Sequence, residues 1–194
     1  MSSARFHTRN PPVAYQTAPG DLSGVDAPHH TRYRRLLAGK FTVRRMRQLT
    51  ERIEQITAET LDAMDRQGAP LDLVTAYAQP IPAQLICEML GVAYSDRERF
   101  EAQAMTMTGL NATAEQRTQA WTDVTEYIGL LARTKPEKPT DDLLSDLTET
   151  DLTEAELAGI GAFLLGAGLD TTANMLGLGV FALLQHPDQL AGQW

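Results

Sequence analysis

The sequence is short of cysteine, of net positive charge and of any addressing signal. Cys87 is its one thiol in 194 residues. No internal disulfide can form, and a reducing, cytoplasmic setting fits. Acidic residues outnumber Lys and Arg by 25 to 17, a net charge of −8, which disfavours general nucleic-acid binding. The opening stretch, MSSARFHTRNPP, lacks the apolar core of a signal peptide. No internal repeat or low-complexity tract is present. What is there is the length of one domain and 43% hydrophobic residues, enough for a buried core.

The charge is uneven. Arg32, Arg34, Arg35, Lys40, Arg44, Arg45, Arg47 and Arg52 crowd one stretch, and Asp141, Asp142, Asp146, Glu149, Asp151 and Glu154 crowd another. The longest apolar stretch is Thr153 to Leu184. Thr153 and Glu156 have the spacing of a capping box, and Pro187 ends the helical pattern at His186. Glycines at 159, 161, 166, 168, 177 and 179 sit inside it. Each costs about 1 kcal/mol against alanine in a helix, so something is expected to approach the helix backbone closely. In its middle stand Ala167-Gly168-Leu169-Asp170-Thr171-Thr172. A carboxylate among apolar residues must be paired or solvated. Thr171 is placed to return its hydroxyl to the carbonyl of Ala167. Small residues, an acid and an alcohol together describe a groove with a proton path beside it. The run from Ala158 to Leu184 is long enough to span a bilayer. However, Asp170 lies mid-span and neither flank carries a Lys/Arg cluster or an aromatic belt, so no membrane span is expected.

The rest of the chain reads as helices, an all-α architecture. Residues 1–25 are irregular, with Pro11, Pro12, Pro19, Gly20 and Gly24. Asp26-Ala27-Pro28 starts a helix with an acidic cap and a proline in its first turn. On it His30 and Arg34 share a face at i, i+4, while Arg32 and Arg35 point elsewhere. Thr42 caps a helix from Val43 to Met64 with Val43, Met46, Leu49, Ile53, Ile56 and Leu61 at helical spacing, closed by Gly68. Its arginines are either a solvated surface or a docking face for an acidic partner. Asp72 caps a short helix that Pro80 and Pro82 break, and a buried helix runs from Ile81 to Leu90, ending at Gly91. Cys87 sits on this helix as a small hydrophobe. Ser95 with Glu98, and Thr113 with Gln116, are capping boxes opening two further helices across a break at Gly109–Ala112. Residues 135–152 are a linker and a short helix, and 187–194 begin one more.

Three of these stretches resemble the bacterial cytochromes P-450, the haem-thiolate monooxygenases. Ala-Gly-x-Asp-Thr-Thr, followed by Ala173-Asn174 and Leu183-Leu184-Gln185-His186-Pro187, is similar to their helix I. Asp26 to Leu37 (DAPHHTRYRRLL) is similar to helix C, departing at Ala27, where the family has proline, and at His29, where it has an acid. Asp141 to Ser145 (DDLLS) is similar to the stretch before helix H, and Ser2 to Phe6 to the segment before the first substrate loop. The resemblance implies a partial P-450 fold forming one incomplete domain. Residues 26–134 would correspond to helices C to G and 153–185 to helix I, without the N-terminal sheet or the proximal Cys-loop half.

The resemblance also implies roles. Haem b would be the cofactor, with electrons from NAD(P)H through a ferredoxin-type donor, and dioxygen and a small organic molecule as substrates. His30 and Arg34 would hold a haem propionate. Ala167 and Gly168 would leave room for dioxygen, Thr171 would steady a proton-delivering water, and Asp170 would relay protons from solvent. Met105, Met107 and Leu110 would touch substrate from the lid. Cys87 is not the thiolate ligand, because the family's ligand lies in a glycine-rich loop after helix I. The Glu-x-x-Arg helix and that loop are not in the sequence, so this chain alone is expected to bind haem weakly or not at all, to be inactive and to expose apolar surface along its central helix. The other readings are an inactive truncated remnant and an all-α DNA-binding regulator using the Arg-rich helices.

Overall fold

The computed structural model describes residues 18–108 and 111–192. Within them the chain forms eight α-helices and no strand. They are α1 (His29–Ala38), α2 (Val43–Gln67), α3 (Pro80–Leu90), α4 (Arg97–Thr108), α5 (Ala114–Thr134), α6 (Leu143–Thr148), α7 (Glu154–Gln185) and α8 (Pro187–Ala191). A π-helical turn, Val74–Ala78, precedes α3, and a 3₁₀ turn, Tyr94–Asp96, precedes α4. The stretches Ser2–Phe6 and Gly109–Leu110, and the last residues 193–194, lie outside the described residues.

Everything is arranged about α7. Its 32 residues give a rod of about 48 Å. The Thr153–Glu156 box closes as the spacing predicts, with Thr153 Oγ1 accepting from the Glu156 amide and Glu156 Oε2 accepting from the Thr153 amide. His186, ahead of Pro187, ends it. The N-terminal half of α7 is core: Leu157, Ile160, Ala162 and Leu165 are buried against α3, α4, α5 and α6. Side chains such as Ile128, Leu144, Leu147 and Leu90 complete that core, each stabilising by about 1.5–3 kcal/mol over its exposed state. Phe100 of α4 and Tyr127 of α5 meet with ring centroids 5.3 Å apart.

Two glycines of α7 explain themselves here. A Cβ on Gly159 would strike the carbonyl of Pro19, and one on Gly161 would meet Ile128 at 2.6 Å. The close approach expected from the glycines is therefore made, at these positions, by the chain's own segment and core. Gly20, at φ +84°, has no room for a side chain against the α7 backbone at Glu156 and Ile160.

Some local expectations change. Pro28 rather than Asp26 stands at the N-cap position of α1, and the Asp26 carbonyl accepts from the His30 amide at 3.0 Å. α2 runs on to Gln67 before Gly68 closes it. Of its expected apolar stripe Ile56 is fully buried, whereas Val43, Met46, Ile53 and Leu61 stay exposed. The reason is position: α2 lies outside α3 and the π-helical turn rather than inside the core. The short helix after Asp72 is the π-helical turn, whose Val74 amide donates to Asp72 Oδ1 at 2.9 Å; it ends at Ala78, and Pro80 opens α3 at its first position, where the missing N–H is not needed. The Ser95–Glu98 box gives way to the 3₁₀ turn, in which Ser95 Oγ donates to Asp96 Oδ1 at 3.3 Å.

Candidate functional site

The site begins at the middle of α7. Thr171 Oγ1 donates to the carbonyl of Ala167 at 2.7 Å, the back-bond that the i, i+4 spacing predicts. That uses the hydroxyl's one proton. Its oxygen keeps acceptor capacity, and Thr171 is exposed, as are Ala167 and Asp170. Leu169 and Ala173 are buried on the opposite side. The open face continues along Ala167, Thr171, Asn174, Leu178 and Phe181, spaced four and three residues apart and all exposed. Its far end is apolar: Met175, Leu178, Phe181 and Leu184 are 61–73% exposed. α7 is long and apolar enough to cross a membrane by length and composition, but its first half is locked in the core described above.

Gly168 faces another way. A Cβ there would lie 3.5 Å from Ile86 of α3, an ordinary van der Waals contact, so the Ile86 side chain flanks this point of α7. Gly166 is approached by Met107, whose Cε lies 3.8 Å from where a Cβ would be. Met107 is half-buried against the core, while Met105, about 200° round α4, is 41% exposed. The structure thus brings Met107 to α7 and leaves Met105 outside. Leu110 lies outside the described residues.

α1 carries the second group. His30 is half-buried and Arg34 exposed, on adjacent turns. Tyr33 and Leu37 anchor the helix in the core. The neighbouring arginines are engaged: Arg32 with Glu156 at 2.7 Å and Asp151 at 3.2 Å, Arg45 with Asp146 at 2.5 Å, Arg52 with Glu88 at 2.6 Å. Among the described residues Arg34 forms no such pair. A guanidinium and an imidazole on one helix face form a donor set for a carboxylate.

Cys87 is fully buried on α3. Burial pushes its thiol up to about 12, with the nearby Glu101 adding to the effect. A thiol so held is inert as nucleophile or metal ligand. No three of His, Cys, Asp and Glu gather as a metal site among the described residues.

Reading the sequence missed two charged clusters. Glu156, expected only as a cap, also accepts from Arg32 and from Tyr33 Oη at 2.8 Å. Burial works to raise its pKa, but hydrogen bonds from Thr153, Tyr33 and Arg32 prevail and hold it at about 2. Lys135, expected in a linker, is buried and donates to Asp142 Oδ2 at 2.6 Å and to Thr140 Oγ1 at 2.9 Å. Asp142 Oδ1 caps α6 through the Ser145 amide at 2.8 Å. The buried Leu143-Leu144 pair beside it was the available signal: an acid next to core residues needs a partner.

No protein-family model matches the chain. Individual relatives do. Cytochrome P450 105C1 of a Streptomyces species is 49% identical over 162 residues, which are 82% of this chain and 42% of that protein. Pentalenic acid synthase of Streptomyces avermitilis is 42% identical over 175 residues, 88% of this chain and 43% of that one. The LnmA cytochrome P450 hydroxylase from the leinamycin biosynthetic pathway of Streptomyces atroolivaceus superposes with a TM-score of 0.83 at 39% identity, over 91% of this chain and 47% of that one. The chain spans less than half the length of the curated relatives it matches. With the helical fold and the α7 motif in place, the conclusion is that the chain belongs to the bacterial cytochrome P-450 family and corresponds to a part of that mainly helical fold.

Proposed function

We propose that this chain is the distal, oxygen-side portion of a monooxygenase acting on a small organic molecule of secondary metabolism. The observation that carries the reading is the Thr171–Ala167 back-bond on an open helix face beside Asp170. The relatives' names support the substrate class: one is a pentalenic acid synthase and another a hydroxylase of a leinamycin pathway. A neighbouring structure, CYP105P1, holds filipin I. Terpenoid, macrolide and fatty-acid substrates all suit such a site.

The residues present fit part of a haem site. Arg34, unpaired among the described residues, and His30, one turn away, suit a propionate. Cys87 does not suit the iron, being buried with a protonated thiol. Bound haem would supply the insertion of one oxygen atom into a C–H bond, with two electrons drawn from NAD(P)H through a ferredoxin-type donor. The chain's own share is placement and protons. Thr171, its proton committed to Ala167, accepts a hydrogen bond from a water and fixes that water's position. Asp170, the preceding residue and exposed to solvent, takes protons from bulk water and passes them along, as a general acid acting through water. Met107 shapes the α4 side of α7. Ala167 and Gly168, both small, leave room for dioxygen beside Thr171. The cytoplasm is the setting, without membrane or nucleic-acid partner. The DNA-binding alternative is disfavoured, since Arg32, Arg45 and Arg52 are engaged by acidic side chains.

The test is Thr171→Ala in the protein expressed from the whole open reading frame. Reductant consumption is expected to continue while hydrogen peroxide replaces product. Unchanged coupling would refute the Thr171 role.

A further inference from the structure

α1 is fastened by few points. Tyr33 and Leu37 are its buried side chains. Its polar ties converge on the head of α7: Arg32 Nη1 donates to Glu156 Oε1 at 2.7 Å, Tyr33 Oη donates to the same oxygen at 2.8 Å, and Arg32 Nη2 donates to the Asp151 carbonyl at 2.9 Å. The other oxygen of Glu156, Oε2, faces Thr153 and closes the capping box. One carboxylate therefore performs two tasks with two atoms. Capping needs no charge. At the head of α5 the same place is held by Gln116, whose Oε1 accepts from the Thr113 amide at 2.8 Å. The negative charge at position 156 is surplus to the cap and is matched to Arg32.

The azimuth of α1 follows from this grip. At 3.6 residues per turn, Tyr33 lies about 60° round the axis from His30, and Arg34 about 40° to the other side. Holding Arg32 and Tyr33 fixes which way His30 and Arg34 point. We propose that Glu156 is a positioning residue: its Oε1 latches α1 to the head of α7 and so sets His30 and Arg34 relative to the Ala167–Thr171 face. The inference rests on the reading of His30 and Arg34 as propionate ligands.

Glu156→Gln separates the two tasks, since glutamine keeps the cap and removes the charge. Amide hydrogen exchange on the protein expressed from the whole open reading frame reads the latch. In Glu156→Gln and in Arg32→Ala, the amides of Tyr33 to Ala38 are expected to exchange at least about tenfold faster, while those of Leu157 to Leu165 stay within about twofold, as local opening requires. Arg32→Lys, which keeps the charge, restores part of the protection. The double variant Arg32→Ala/Glu156→Gln is expected to exchange more slowly than the product of the two single accelerations predicts, because the shared Arg32–Glu156 bond is lost in both. Haem retained per polypeptide, in the protein expressed from the whole open reading frame, reads the positioning. It is expected to fall in Glu156→Gln and Arg34→Ala alike, and to fall little further when they are combined. Unchanged exchange in α1, or equal acceleration in α1 and α7, overturns the latch. A loosened α1 with haem retention sensitive to Arg34→Ala but not to Glu156→Gln overturns the positioning role alone. A loosened α1 with retention indifferent to both Arg34→Ala and His30→Ala overturns the haem reading, and the positioning role with it, while the latch stands.

Discussion

Lys135 and Asp142 form a buried ion pair of two side chains each about 5% exposed or less. Removing one partner strands a charge in the core, which costs about 3–5 kcal/mol. Lys135→Ala and Asp142→Ala are each expected to lower the urea midpoint by that equivalent, whereas replacing both together costs less than the sum of the two. Additive losses would show that the pair is not coupled. Glu156 gives a pH signature. Its folded value of about 2 lies below the ordinary carboxylate value of about 4.3. The folded state therefore gains stability from it at any pH above the unfolded value, and that gain is lost as pH falls toward 2. Glu156→Gln should flatten the decline of stability between pH 5 and pH 2; an unchanged acid limb would remove the assignment. The residues legible in the sequence are those whose partners are local. Thr171 and Ala167 are four apart, as are His30 and Arg34, and helix geometry alone brings them together. Arg32 and Glu156 are 124 positions apart, and no spacing rule reaches across that distance. Lys135 and Asp142 are only seven apart, but they meet across a turn rather than along a helix.

At the scale of elements, α7 keeps its glycines for different reasons, and the reasons are separable. Gly159→Ala pushes a methyl into the Pro19 carbonyl, backbone that moves only with its whole segment. It is expected to destabilise by about 1–3 kcal/mol, as overpacking does. Gly179→Ala meets nothing within 4 Å and is expected to stabilise by up to about 1 kcal/mol through helix propensity. Equal effects at the two positions, read as midpoint shifts in urea, would contradict this account of the helix. The sequence pattern placed α7 and both surviving capping boxes, at Thr113 and Thr153, because caps and periodicity are local. The α2 stripe through Val43, Met46, Ile53 and Leu61 has the period of a helix and is nonetheless exposed, because period states which face is apolar and not what covers it. The pattern also misplaced the start of α4, where a 3₁₀ turn takes up Ser95 before the helix begins.

The whole molecule has one end packed and one end open. The first half of α7 is core, and the second half presents Met175, Leu178, Phe181 and Leu184 to solvent. Contiguous exposed apolar surface of this kind marks a face that meets another surface. In relatives about twice as long as the chain, we propose that the remainder of the fold lies there. Leu178→Lys and Phe181→Lys together are then expected to raise the solubility of the isolated chain without lowering its unfolding midpoint; a lowered midpoint would show that the face is already in use. The central claim is that the open face of α7 and the His30/Arg34 pair of α1 belong to one haem site. The most direct measurement is the absorption spectrum and haem content of the protein expressed from the whole reading frame that contains this sequence, wild type beside Arg34→Ala. The account predicts a thiolate-type haem spectrum in the wild type and a clear loss of retained haem in the variant. A soluble, folded product that takes up no haem, or that keeps it equally well without Arg34, would contradict it.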